Sequence, residues 1–269
     1  MPNRMPILWL CLAGALPWVL LCAQEPPTAN ATLSNARVAF IVEQMREAQS
    51  TFGVPPSYQV IREYRLFSEK NSNPSSEVLA EVDYAPPNHK TYLIQKRTGS
   101  SRGEDVVRRI LQHESQMVAG AGSGAAIDNN NYWFGYQGEA EIDGSPCYLV
   151  SLNPKRRDIE LIRGRVWVDE QSFLVRRIEG QMARSPSWLL KKVDLKIDFA
   201  DKGGAWFQTD MEAVAEVRLL GSQILKSQTI EVRVGDLITQ KTPPPVRSKN
   251  GKANRSRVPA TALVPLDHP

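Results

Sequence analysis

The chain has 269 residues, 42% of them hydrophobic and 23% charged, the ordinary composition of a globular protein with a core large enough to need neither a metal nor a disulfide to hold it. Its net charge of +4 is unevenly placed: the stretch from Thr242 sets Arg247, Lys249, Lys252, Arg255 and Arg257 against Asp267 alone, so the rest of the mature chain is close to neutral. A basic tail on a neutral body excludes a nucleic-acid-binding face as the source of the high isoelectric point.

The first 23 residues read as a signal peptide. Arg4 supplies the positive start, Ile7 to Leu21 the apolar run, and Cys22-Ala23-Gln24 a cleavage point after Ala23. The run is short for a membrane span and contains Pro17. An uncleaved anchor, or lipidation at Cys22 despite Leu21 standing where a lipobox wants a small residue, are the alternatives. Cleavage removes Cys11 and Cys22, leaving Cys147 without an internal disulfide partner, as a small buried hydrophobe.

Residues 24–35 are polar with Pro26-Pro27, and the composition predicts a linker. Ser34 or Asn35 then caps a helix, with Val38, Ile41, Val42 and Met45 at helical spacing on one stripe, ended by Gly53 and Pro55-Pro56. From Tyr58 the period falls to two, and three strands follow (58–67, 77–84 and 89–96), joined by short turns. A second amphipathic helix presents Val106, Val107, Ile110, Leu111, Met117 and Val118 on one face, and Gly120-Ala-Gly-Ser-Gly124 stops it. Strands then run to Val234: 132–142 into an Asp143-Gly144 hairpin turn, 147–152, 159–169, 173–183 after a tight connection at 169–172, 189–199, 205–219 and 223–234. In the 189–199 strand Leu189, Val193, Leu195, Ile197 and Phe199 share one face, and Lys192, Asp194, Lys196 and Asp198 the other.

Nine or ten long antiparallel strands in succession curl rather than stay flat. The expected fold is mainly β with two packing helices, a curled antiparallel sheet forming an incomplete half β-barrel over residues 36–241. The concave face gives both helices an apolar surface to land on. Residues 242–269, with Pro243-Pro-Pro245 and few large apolar side chains, read as a disordered basic tail.

No constellation for catalysis emerges. His89, His113 and His268 have no metal-ligand spacing, and His113-Glu114 lacks the second histidine of a zincin helix. Gly120–Gly124 follows a helix rather than a strand and contains no lysine, so it fails as a phosphate loop. The carboxylates alternate with Lys and Arg along strands, the pattern of a solvated sheet face. These features predict neither enzyme nor cofactor. The aromatics are more suggestive. Trp133, Phe134, Trp167, Trp188, Trp206 and Phe207 all fall in the second run of strands. They are either plain core and edge packing or the lining of an apolar ligand cavity, and for the latter Trp133, Phe134, Trp167, Trp188 and Trp206 are the candidate binding residues.

Three segments carry a family resemblance. Asp143-Gly-Ser-Pro-Cys-Tyr-Leu-Val-Ser-Leu-Asn-Pro154, Gly164-Arg-Val-Trp-Val-Asp169 and Phe173-Leu-Val-Arg-Arg-Ile-Glu179 resemble the half-barrel outer-membrane lipoprotein-sorting family. That family includes the periplasmic lipoprotein carrier, its outer-membrane receptor and the periplasmic sigma-factor regulator that senses lipoproteins. The resemblance covers about Ala36 to Val234. It implies a non-catalytic, monomeric protein of the periplasm, associated with the outer membrane, whose concave apolar face binds the acyl chains of lipids or lipoproteins for transport or sorting. The alternative is an envelope signalling or structural module with a filled core, acting through a membrane-protein partner.

Overall fold

The structure, a computed structural model, describes residues 29–52, 55–69, 71–120 and 125–235. The expected signal peptide, the Gly-rich stop after Gly120 and the basic tail fall wholly or largely outside these residues. The elements run α1 (Ala29–Phe52), β1 (Tyr58–Ser68), β2 (Ser76–Ala85), β3 (His89–Gly99), α2 (Ser101–Ala119), β4 (Tyr132–Ile142), β5 (Ser145–Pro154), β6 (Ile162–Asp169), β7 (Val175–Met182), β8 (Leu190–Lys202), β9 (Ala205–Val217) and β10 (Gly221–Val234). The ten strands make one sheet in the order β3-β2-β1-β10-β9-β8-β7-β6-β5-β4, antiparallel throughout. Among the described residues neither β3 nor β4 has a second neighbour, so the sheet does not close into a barrel.

Local chemistry sets the turns. Asp143 (φ 50°) and Gly144 (φ 77°) both take the left-handed region, as the two-residue turn between β4 and β5 requires. The β6–β7 turn is organised by the buried Asp169 carboxylate. Its Oδ1 accepts from the amides of Gln171 (3.1 Å) and Ser172 (2.9 Å) and from Ser172 Oγ (2.9 Å), and its Oδ2 accepts from Arg176 Nε at 2.6 Å. Although burial alone would raise it, these donors hold Asp169 below the usual carboxylate range. This accounts physically for the Val-Trp-Val-Asp pattern followed by a short turn and paired arginines.

Helix α1 begins at Ala29, not at the expected Ser34 or Asn35, because nothing from Ala29 to Leu33 breaks a helix. Helix α2 is capped by Ser100, whose side chain accepts from Gly103 N, and stops at Gly120. Val107 and Leu111 are its buried apolar residues; Val106, expected on the same face, is exposed, lying a residue off the stripe.

Register fixes which face each residue takes. One row of directly opposed residues runs Tyr136, Val150, Val166, Ile178, Ile197, Met211, Ser227, Tyr64, Val78 from β4 across to β2. Its β5–β7 members belong to a core with Val38, Ile41, Val42 and Met45 of α1, and Tyr64 and Val78 to a core with Val107 and Leu111 of α2. Both helices therefore pack on the same inner face, α1 over the β4–β7 half and α2 over the half around β1–β3. One position along, the opposite face carries Glu77, Arg65, Lys226, Glu212, Lys196, Glu179 and Arg165, an ion-pair ladder with contacts such as Lys226–Glu212 at 3.0 Å and Arg165–Glu179 at 3.4 Å. This is the solvated outer face.

Candidate functional site

Between the two helix-covered cores lies inner-face surface belonging to neither. Leu195 and Ile197 of β8 are half-buried and belong to no core cluster. They stand in register with Met211 and Ala213 of β9, which pack at the edge of the α2 core. A second inner row runs Phe134, Leu152, Gly164, Gly180, Leu195, Ala213, Leu225, Leu66. Its middle is built from two glycines and an alanine, so the sheet surface is lowest where the helices leave it uncovered. The result is an apolar trough along Gly164, Gly180, Leu195 and Ile197, bounded by Met211 and Ala213 where the α2 core begins.

The glycine pair is also a backbone pinch. A Cβ added at Gly164 would stand 2.0 Å from the Glu179 carbonyl oxygen, and one at Gly180 would stand 2.4 Å from that of Arg163. No larger residue fits there without moving a strand, so the trough floor and the close approach of β6 and β7 are one feature. An open groove of about 410 Å³ at the same pair is lined largely by Arg165, Glu179, Asp194, Lys196 and Glu212 of the outer ladder, and is polar rather than an acyl-chain hollow.

One charged cluster interrupts the apolar inner face. Arg62 of β1 is buried in phase with Val60 and Tyr64, and its Nη1 donates to both carboxylate oxygens of Glu114 on α2 at 3.1 Å. Lys90 Nζ of β3 donates to Glu114 Oε2 at 2.7 Å. Burial opposes ionisation of Glu114, but the two cations outweigh it and hold the carboxyl below its ordinary range. Burial pushes the nearby Tyr58 hydroxyl up to about 12. At the other end of α2, Glu104 pairs with Arg97 of β3 and Arg108. The helix is thus tied to the sheet by ion pairs at both ends.

The aromatic candidates do not converge. Phe134 lies on the inner face against the α1 core, at one end of the trough row. Trp133 beside it is exposed, with the Lys155 ammonium 4.1 Å from its ring centre. Trp167 packs with Ile142 and Cys147 in a small outer-face cluster. Trp188 is exposed in the β7–β8 connection. Trp206, alternating with the buried Phe207, donates Nε1 to the Val175 carbonyl at 2.8 Å beneath Arg176. Sequence reasoning followed large aromatics and passed over the small trough residues. Counting back from the 169–172 turn does not set Gly164 opposite Gly180, because a register shift between Trp167 and Val168 intervenes. Arg62, by contrast, was visible, a cation in phase with Tyr58, Val60, Tyr64 and Leu66.

No protein-family model matches the chain, and no curated protein sequence does. Among solved structures it is similar to a domain from Vibrio parahaemolyticus provisionally assigned as an outer-membrane lipoprotein-sorting protein, with 11% identity, TM-score 0.42, and coverage of 72% of this chain and 91% of that one. It is similar to a LolA superfamily protein from Nitrosomonas europaea (14% identity, TM-score 0.39, 74% and 94% covered). It is also similar to a DUF1329 family protein from Desulfovibrio piger (14% identity, TM-score 0.37, 73% and 92% covered).

Proposed function

We propose that the chain is a cell-envelope protein that binds acyl chains of lipids or lipoproteins along the inner-face trough, for their transport or sorting. The observation that carries this reading is the row of small and apolar residues, Gly164, Gly180 and Leu195, left between two helix-covered cores on one face of an open sheet and running into Ala213 at the edge of the α2 core. Each methylene withdrawn from water contributes about 0.8 kcal/mol, so an acyl chain laid on such a floor binds without polar contacts. The acting groups are apolar side chains and backbone, so the reading is one of binding, not of catalysis.

Native mass spectrometry of protein purified from bacterial envelopes tests it. Lipid-sized adducts are expected, lost by about tenfold in Ala213→Trp, which fills the trough, while its far-ultraviolet circular dichroism stays unchanged. A clean apo mass that takes up no added fatty acid overturns the proposal and leaves the inner face to a protein partner.

A further inference from the structure

The strand ends differ sharply in what they expose. The β7–β8 connection carries Trp188 and Leu189, 79% and 41% exposed, and the β9–β10 turn carries Leu219 and Leu220, 102% and 64% exposed. The two turns are neighbours: the Arg218 amide donates to the Leu189 carbonyl at 2.8 Å, and Leu190 pairs with Val217. Four large apolar side chains thus project from one tip. At the opposite end, the described turns around Asn88, Asp143, Glu170 and Gly203 hold no exposed large hydrophobic residue; Phe40 of α1, 54% exposed, stands beside them but packs edge-on against Phe173.

Leu219 makes the tip harder to dismiss as loose surface. It has φ 72°, a left-handed conformation costly for a leucine and natural for glycine or asparagine, and it is wholly in solvent. A strained position filled by an apolar residue with nothing to pack on serves no purpose within the fold. Around the tip, Lys191 is paired with Glu216 and Lys192 with Asp194. Arg184 and Arg218 are exposed and have no ion-pair partner among the described residues.

We propose that this tip docks on an anionic lipid bilayer, with Trp188, Leu189, Leu219 and Leu220 entering the interfacial layer and Arg184 and Arg218 meeting lipid phosphates. The chemistry fits a membrane better than a protein. The apolar groups sit on protruding turns rather than in a groove or on a flat face. Trp is at home at the boundary between headgroups and chains, and at the tip the two unpaired cations, Arg184 and Arg218, outnumber the Glu69 carboxylate, which accepts from the Ser222 amide. The inner-face residues Val193 and Ala215 lie between this tip and the trough, so docking would set the open end of the trough at the lipid surface. The docking itself does not depend on the trough holding a ligand.

The test uses the full chain with an environment-sensitive fluorophore on Leu219→Cys, and the same label on Lys202→Cys at the far end. The chain without an added cysteine gives the background from its native thiols. On vesicles of phosphatidylethanolamine and phosphatidylglycerol the label at 219 is expected to shift to the blue and the label at 202 to stay aqueous. The response should weaken about tenfold in Arg184→Ala/Arg218→Ala. Trp188→Ser/Leu219→Asn/Leu220→Ser should lose the tip's share of vesicle co-sedimentation while its Tm stays level or rises, since asparagine relieves position 219. An aqueous emission at 219 on these vesicles overturns the proposal. So does a blue shift that follows protein concentration rather than lipid, which would make the tip a self-association surface. Ala213→Trp should dock normally and the tip variant should still bind acyl chains, so failure of either proposal is read separately.

Discussion

Glu114 shows how a single carboxylate can govern the attachment of a helix. With Arg62 and Lys90 both buried against it, Glu114→Gln leaves two cations with no compensating charge, and a loss of about 3 kcal/mol in unfolding free energy at neutral pH is expected. The folded carboxyl titrates below its unfolded value, so its contribution is fully present above that unfolded value, about pH 4.3, and is lost as the pH falls through the folded one. Urea titrations of both proteins from pH 7 to pH 3 should therefore show the gap closing at the acidic end; a gap independent of pH would mean that Glu114 acts through shape alone. Arg62 was legible as an anomaly in the sequence, being a charge at an apolar position of an alternating strand. Its partner was not, because Glu114 sits 52 residues away on another element and only the packed fold brings the two together.

At the level of elements, the β6–β7 hairpin combines a turn that the sequence announces with a contact it conceals. The Asp169 turn and the alternation of Val166 and Val168 against Trp167 predict the hairpin directly, and strand periodicity elsewhere located all ten strands to within a few residues. The helix start was harder to place, since polar residues 29–35 suit a linker and a helix equally. The Gly164–Gly180 approach is invisible to periodicity, which registers what side chains do and is blind to their absence. It has a measurable consequence: Gly180→Val forces a branched side chain against the Arg163 carbonyl and Gly164, and is expected to cost about 3 kcal/mol or more in chemical denaturation. Gly138→Ala, whose Cβ would meet nothing within 4 Å, controls for generic glycine replacement, its own cost being confined to a left-handed φ. Equal losses at both sites would sink the pinch.

For the molecule as a whole, the two helices cover separate cores that share one continuous sheet. Ile41 of α1 is fully buried and Leu111 of α2 nearly so, yet β8 runs between the cores, hydrogen-bonded to β7 on one side and to β9 on the other. Ile41→Ala is expected to remove about 3 kcal/mol and to lower one common transition seen by near-ultraviolet circular dichroism and by hydrogen exchange in β1 and β2 alike. Two resolved transitions would show the halves to be independent. The sequence made the overall class legible through its run of strands and two amphipathic stripes, but the aromatic set was scattered because Trp content alone does not say which face a residue takes. The strand order carries one more consequence. β1 lies beside β10, joined by pairs such as Tyr58 with Val234, so the first strand finds its second neighbour only in the last one made. During synthesis β1–β3 and α2 emerge as an unfinished sheet with a bare flank. Until β10 arrives, that flank invites pairing with another nascent chain, and the yield of correctly folded protein should depend on how long it waits.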